Sequence, residues 1–394
     1  MKTNEEKITR AILIPLGITL LFLLTIFIFS VYWQKWQHLN EEVEVRLEEV
    51  NRLFHDKLAK DAMILESQIN LLKLDKNLQN AYRSRDREGL AQNATAFFKS
   101  INSKYQVTHF YFIDLERVCF LRVHNPQRYG DVISRFTLDS TVRRDVPIYG
   151  IELGKFGTFT LRIVYPWRIN GELIGYLELG KEIEHITVTL KKTLNVELLF
   201  AISKSYLNRA DWQNGLKMMG RTGDWNQFSH VVIIDNTMPA IPKKSKELFE
   251  LLESSSFSEH EHPVVTLKLS TSNRQYRGGF IPLIDAGNRE VGYIMVLSDV
   301  TTQEIALYQL LAILIIVSVM VGGVLFGFFY VFIGRIESRL VKAHNDLLQN
   351  EARIQKQNKF LQNIWDSLSH PFYVVEVEDY TIKIANDAAG FGLT

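Results

Sequence analysis

The chain has 394 residues, with 45 Lys and Arg against 44 Asp and Glu and a formal net charge of +1. That balance argues against a nucleic-acid binder, and the length fits two or three domains. A single cysteine, Cys119, excludes an intrachain disulfide, a thiolate metal cluster and Cys-pair redox chemistry.

Residues 1–10 form a short basic segment with Lys2, Lys7 and Arg10, and residues 11–33 carry no charge. About 20 apolar helical residues cover a hydrocarbon core of roughly 30 Å, so this stretch predicts a membrane span. It is longer than the apolar core of a secretory leader and lacks a small-x-small cleavage site. Residues 34–75 then read as one long helix. Trp36, Leu39, Val43, Leu47, Val50, Phe54, Leu58, Ala62, Leu65, Ile69 and Leu72 recur with a mean spacing of about 3.6, the period of a helix with one buried stripe. Glu41, Glu42, Glu44, Arg46, Glu48, Glu49 and Arg52 form its solvated face.

Residues 76–193 predict a first module: helical material around Glu88–Lys104, then strands at Val107–Asp114, Val118–His124, Tyr149–Leu153, Thr158–Trp167 and Leu173–Leu179. The Asn170-Gly171 step between the last two is a hairpin signal, and helical material near Ile133–Arg144 interrupts the strands. A five-stranded antiparallel sheet with helices on one face accounts for this order. Residues 194–304 repeat the texture, with strands at Val196–Ile202, His230–Asp235, Val264–Leu269, Gln275–Leu283 and Glu290–Leu297 and a helix at Lys244–Glu253. Ile174-Gly175-Tyr176-Leu177 and Val291-Gly292-Tyr293-Ile294 occupy matching places, which implies two related modules in tandem. His260-Glu261-His262 reads as a solvated loop, since two His without a third partner make a weak metal site.

Residues 305–333 predict a second span, with Gly322, Gly323 and Gly327 on its surface. Asp299 and Glu304 precede it, while Arg335, Arg339 and Lys342 follow. The positive-inside rule therefore puts both termini in the cytoplasm and residues 34–304 outside. Within residues 334–368, Ile336, Leu340, Ala343, Leu347, Asn350, Ile354, Gln357, Leu361, Ile364 and Leu368 alternate spacings of four and three, a heptad register that predicts a dimeric coiled coil. A solitary juxtamembrane helix is the alternative.

The fold class expected is α+β: a long N-terminal helix and two tandem PAS-like antiparallel sheets, flanked by two transmembrane helices. Thr108-His109-Phe110-Tyr111-Phe112, Leu121-Arg122-Val123-His124-Asn125-Pro126, Gly150-Ile151-Glu152-Leu153-Gly154, Thr158-Phe159-Thr160-Leu161-Arg162 and Gly175-Tyr176-Leu177-Glu178-Leu179-Gly180 occur in an order that resembles the double Cache family of bacterial receptors, closest to its third subtype. Residues 369–394, with Tyr380-Thr381-Ile382-Lys383-Ile384-Ala385-Asn386-Asp387-Ala388-Ala389, resemble the start of a PAS domain, inside which the chain is expected to end. His370 is followed by Pro-Phe, unlike a kinase phosphoacceptor box.

Strand alternation puts Arg122 and His124 on one face of their strand, and Thr160 and Arg162 on one face of theirs. His109 and Tyr111 on the first strand and Asp131 and Arg135 on the next segment complete a candidate ligand site between sheet and helices. Two guanidiniums suit a carboxylate or other planar anion. The competing reading is an internal Arg122–Asp131 ion pair that pins the loop after Pro126, and His124 reads more readily as a hydrogen-bonded structural histidine than as a metal ligand. No catalytic constellation and no metal or cofactor site emerges. The arginines imply a small-molecule, anionic ligand, the heptads a homodimer and the flanking charges an inner-membrane topology, and the resemblance implies the sensing half of a receptor. Its output would be a sensor histidine kinase reaching a response regulator through downstream domains, or alternatively a diguanylate cyclase or chemoreceptor.

Overall fold

The structure, a computed structural model, describes residues 2–238, 241, 245, 247, 249–250, 267–271 and 273–390. His260-Glu261-His262, most of the expected helix at 244–253 and residues 264–266 of an expected strand lie outside the described residues. The chain forms two compact units, residues 33–308 and residues 1–32 with 309–394.

Within the larger unit the long helix α1 (Lys2–Leu72) carries the stripe read from the sequence. Leu39, Val43, Leu47, Val50, Phe54, Leu58, Ala62, Leu65, Ile69 and Leu72 are all buried. Trp36, at the head of the stripe, is instead exposed. The helix has no break at residue 34; it is continuous from the apolar segment. Short helices α2 (Lys76–Arg83) and α3 (Arg87–Tyr105) follow, each started by an aspartate whose carboxylate accepts from first-turn backbone amides, Asp75 from Asn77 and Leu78 and Asp86 from Gly89.

The first sheet contains β1 (His109–Ile113), β2 (Cys119–Arg122), β3 (Ile148–Leu153), β4 (Phe159–Ile169) and β5 (Glu172–Glu182) in the order β2-β1-β5-β4-β3. All its ladders are antiparallel. Asn170 (φ 52°) and Gly171 (φ 86°) join β4 to β5 with both central residues left-handed, as a two-residue hairpin of primed type requires. Helices cover both faces of this sheet, not one. Phe110, Phe112, Leu121, Leu161, Ile163, Leu177 and Leu179 join the core built on α1, while Tyr111, Ile113, Val164 and Tyr176 pack with Leu138 of α4 (Phe136–Arg144).

Helix α5 (Glu184–Leu194) leads to the second sheet, which contains β6 (Val196–Ser203), β7 (Val231–Asn236), β8 (Leu267–Ser270), β9 (Gln275–Ile284) and β10 (Glu290–Asp299). Its order, β7-β6-β10-β9-β8, repeats the first sheet strand for strand. Helix α6 (Arg209–Met219) lies between β6 and β7 in sequence. One apolar core runs through α1 and both sheets, and Phe54 meets Phe200 at 6.2 Å between ring centres. Fully burying each such side chain contributes about 1.5–3 kcal/mol.

Polar ties fix α1 at two levels. Asp61 accepts from Lys181 Nζ at 3.2 Å and pairs with His185 Nε2 at 2.5 Å. Near the other end Arg277 of β9 donates to Asn40 at 2.9 Å and pairs with Glu304 at 3.2 Å. Glu304 lies in the first turn of the C-terminal helix α7 (Thr301–Ser367).

In the second unit, two segments are long and apolar enough to cross a membrane, one within α1 and one within α7, each with a mean hydropathy of 2.8. Their large apolar side chains, Ile18, Phe22, Phe29, Val319, Val324 and Phe328 among them, are exposed, as lipid-facing residues are. Beyond the span α7 continues unbroken through the heptad segment, where Leu340, Leu347, Ile354 and Leu361 are exposed. A hairpin of β11 (Tyr373–Val375) and β12 (Ile382–Ala385) follows, closed by Asn386, whose carboxamide accepts from Phe372 N at 2.8 Å.

Candidate ligand site

The site is built on the α4 face of the first sheet. Cross-strand partners share a face, and the ladder aligns Tyr111 with both Arg122 and Glu178, Gly180 with Arg162, and Thr160 with Glu152 and Glu182. The opposite face of the same strands is apolar apart from Lys181, which reaches Asp61 of α1, so alternation puts the other charged residues on the α4 side.

At its centre is Glu178, with no exposed side-chain surface. Its Oε1 accepts from Arg162 Nη1 at 2.6 Å and from Arg135 Nη1. Its Oε2 is buried with no hydrogen-bond partner among the described residues. Burial alone would raise the Glu178 pKa, but the two guanidiniums outweigh it and hold the carboxyl below its ordinary value. Arg162 Nε also lies 3.9 Å from Glu152 Oε2. The other Glu152 oxygen accepts from Thr137 N at 2.7 Å and Thr137 Oγ1 at 2.8 Å, capping the start of α4.

Aromatic rings complete the face. Tyr111 accepts from Arg135 Nη2 at 3.2 Å, and the guanidiniums of Arg135 and Arg122 lie 4.7 and 5.2 Å from its ring centre. His109 stacks parallel to Tyr111 at 6.2 Å, and His124 meets both rings edge-on at 4.9 Å.

The eight residues singled out by sequence are brought to one region, and for Arg122 the structure shows the competing reading, the internal ion pair. Arg122 and Asp131 form a two-pronged ion pair, both contacts 2.6 Å, and Arg122 also donates to the Arg128 carbonyl at 2.7 Å. Arg122 thus ties down the loop between β2 and α4. Arg162 is occupied by glutamates, so neither guanidinium is an open fork. His124 sits in a turn just past β2, not within the strand, and its Nδ1 accepts the backbone N–H of Phe110 at 3.1 Å. Sequence reasoning missed Glu152, Glu178 and Glu182. Part of the signal was present, since alternation puts Glu178 on the face of Tyr176, but pairing that face with Arg162 takes the register.

Burial holds His109 and His124 in the neutral form, with pKa values pushed down to about 2 and about 4, and Arg162 reinforces the effect on His109. Glu182, half-buried beside Thr160, is pushed up to about 7 by desolvation. A depressed histidine contributes stability that is complete above the unfolded value of about 6.5 and lost as pH falls toward the folded value. Glu182 has the opposite sign, its contribution being complete below 4.5 and lost as pH rises through about 7. As pH falls from about 6.5 to 4.5 the two histidines therefore lower the melting temperature, and Glu182 opposes them. Thermal melts across that range should show a shallower decline for His109→Phe and a steeper one for Glu182→Gln; parallel curves for all three proteins would contradict the assignment.

Among the described residues the second sheet shows no such face. Where the first aligns Tyr111 with Glu178 and Arg162 with Gly180, the second aligns Leu199 with Met295 and Gly278 with Leu297. Leu199, Met295 and Leu297 belong to an apolar cluster with Phe228 and Phe249.

The chain has likenesses among solved structures. The sensor domain of the Vibrio cholerae histidine kinase DctB is 15% identical, with TM-score 0.39, covering 67% of this chain and 98% of that one. The periplasmic domain of Vibrio cholerae LuxQ is 14% identical, with TM-score 0.37 and coverage of 65% and 99%. The ligand-binding domain of the Campylobacter jejuni chemoreceptor Tlp3, solved with L-valine, is 9% identical, with TM-score 0.37 and coverage of 68% and 95%. A comparison with curated proteins finds no significant match. The family dCache_3, described as the double sensory domain of two-component sensor kinases, matches residues 41–303. That span takes in the stripe-bearing part of α1 and both sheets, and the chain therefore belongs to the double Cache family of sensory domains.

Proposed function

We propose that this chain is the sensing half of a transmembrane receptor whose first module binds a small carboxylate-bearing metabolite on the face of Glu178. One observation carries the reading: Arg135 and Arg162 converge on a buried carboxylate with one unpartnered oxygen, and Arg122 lies beside them over the Tyr111 ring. A ligand carboxylate competes with Glu178 for the guanidiniums, and a ligand hydroxyl or ammonium supplies the donor that Glu178 Oε2 lacks. His109, Tyr111 and His124 offer flat walls, and Asp131, through Arg122, sets the rim.

The two apolar segments support a two-span topology with residues 34–304 outside an inner membrane. The exposed heptad stripe of α7 fits pairing with a second copy as a coiled coil, and the hairpin after it fits the start of a PAS domain. Ligand-dependent shifts of the second span then pass to a histidine kinase and its response regulator through domains downstream. A thermal-shift screen of the full chain in detergent against organic acids and amino acids tests the ligand. A true ligand at about 100 times its Kd should raise the melting temperature by about 5–10 °C. Arg122→Ala should remove that shift; failure of this variant to fold would restrict Arg122 to holding the Asp131 loop. No stabiliser in either compound class would contradict the carboxylate reading.

A further inference from the structure

The turn between β9 and β10 of the second module, residues 285–289, lies against the residues that flank the charged face of the first. Ala286 N donates to Ile151 O at 2.8 Å, one residue before Glu152. Gly287 lies against the ring of Phe136, one residue after Arg135, so closely that a Cβ on it would stand 2.8 Å from that ring. A Cβ on Gly150 would stand equally close, 2.8 Å, to the Ala286 methyl, so the approach needs a glycine on both sides. The Arg289 guanidinium lies over Phe136 at 4.5 Å and over Tyr206 at 5.3 Å.

The turn is built to be stiff. Asp285, with no exposed side-chain surface, accepts from Gly287 N at 2.9 Å, Arg289 N at 3.0 Å and the Arg289 guanidinium at 2.5 Å. A rigid wedge of this kind transmits displacement, because packed interfaces shift between discrete arrangements and do not yield gradually.

We infer that the 285–289 turn is a positioning element for the ligand face: it sets Arg135 through Phe136 and Glu152 through Ile151, and so couples occupancy of the first module to β9 of the second. The same strand, β9, carries Arg277, which holds Asn40 and Glu304. The inference rests on the proposed ligand face, but its test needs no ligand, so the two can fail separately.

Hydrogen–deuterium exchange on the full chain in nanodiscs reads both directions of the coupling. Arg289→Ala should speed exchange in residues 135–139 about tenfold, and Arg289→Lys, which keeps a cation over Phe136, should restore most of the protection. Reciprocally, Glu178→Gln frees Arg135 and should speed exchange at the Ala286 amide severalfold, whereas Asp61→Asn, on the α1 side, should leave it unchanged. Wild-type exchange in 135–139 of Arg289→Ala overturns the inference, and this arm decides alone should Glu178→Gln not fold. Equal acceleration at Ala286 by Asp61→Asn also overturns it, since that marks general loosening.

Discussion

Glu178→Ala is expected to destabilise the chain by about 3–5 kcal/mol, the cost of removing one partner from a buried charge cluster. Glu178 has no exposed side-chain surface, and Arg162 and Arg135 both direct a guanidinium nitrogen at its Oε1. Alanine leaves Arg135 without its carboxylate and Arg162 with Glu152 at 3.9 Å, a carboxylate that already caps α4 through Thr137. The loss is not a measure of what the cluster contributes, because bringing these charges out of water was itself costly. The triple variant Glu178→Met with Arg162→Met and Arg135→Met, which leaves no cation of the triad unpaired, should therefore be far milder than Glu178→Ala. Chemical denaturation of the wild type and the two variants checks this ordering; a triple variant as damaged as the single one would show that the cluster stabilises outright.

Trp167→Ala should cost a similar amount, about 3–5 kcal/mol, or roughly 6–20 °C in melting temperature. Trp167 on β4 is fully buried and meets Tyr82 at 4.9 Å and Phe112 at 5.6 Å between ring centres. Tyr82 in turn donates to the Ile113 carbonyl at 3.0 Å, so this aromatic group seats α2 on the far end of the sheet. The indole N–H reaches the Lys73 carbonyl only at 3.5 Å, so packing, not that contact, dominates. Trp167→Phe should accordingly recover more than half of the loss. Equal melts for the two variants would instead assign the stability to the N–H.

Much of the fold could be read from spacing alone. The stripe from Leu39 to Leu72 is buried at every step because one helical period held over many turns has a single physical explanation. Trp36 failed because it continues the period past the end of the surface that α1 packs against. The Asn170-Gly171 turn was legible for a local reason, its left-handed backbone. Helix α5 was not: Ile186, Thr187, Val188 and Thr189 are β-branched and favour strands, and burial of Ile186 and Leu190 overrides that preference. Helix α6 did carry punctuation, an Asn208 cap and a left-handed Gly220 stop, which strand-oriented reading passed over. In the candidate site the arginines were found by their chemistry and the glutamates were missed, since an isolated acid in a strand reads as a solvated position. Only register shows that Glu178 and Arg162 share a buried face.

The repeat of strand order across the two modules sharpens the functional question, because the same topology carries a charged face once and an apolar face once. Met295 and Leu199 stand where Glu178 and Tyr111 stand in the first module. The central claim is thus one polar ligand site per chain, in the first module. Isothermal titration of a stabilising carboxylate into the full chain, with Arg135→Gln and Met295→Gln variants alongside, tests it most directly. One equivalent bound, weakened at least tenfold by Arg135→Gln and unchanged by Met295→Gln, is the result expected; binding that survives Arg135→Gln and is lost in Met295→Gln would contradict it.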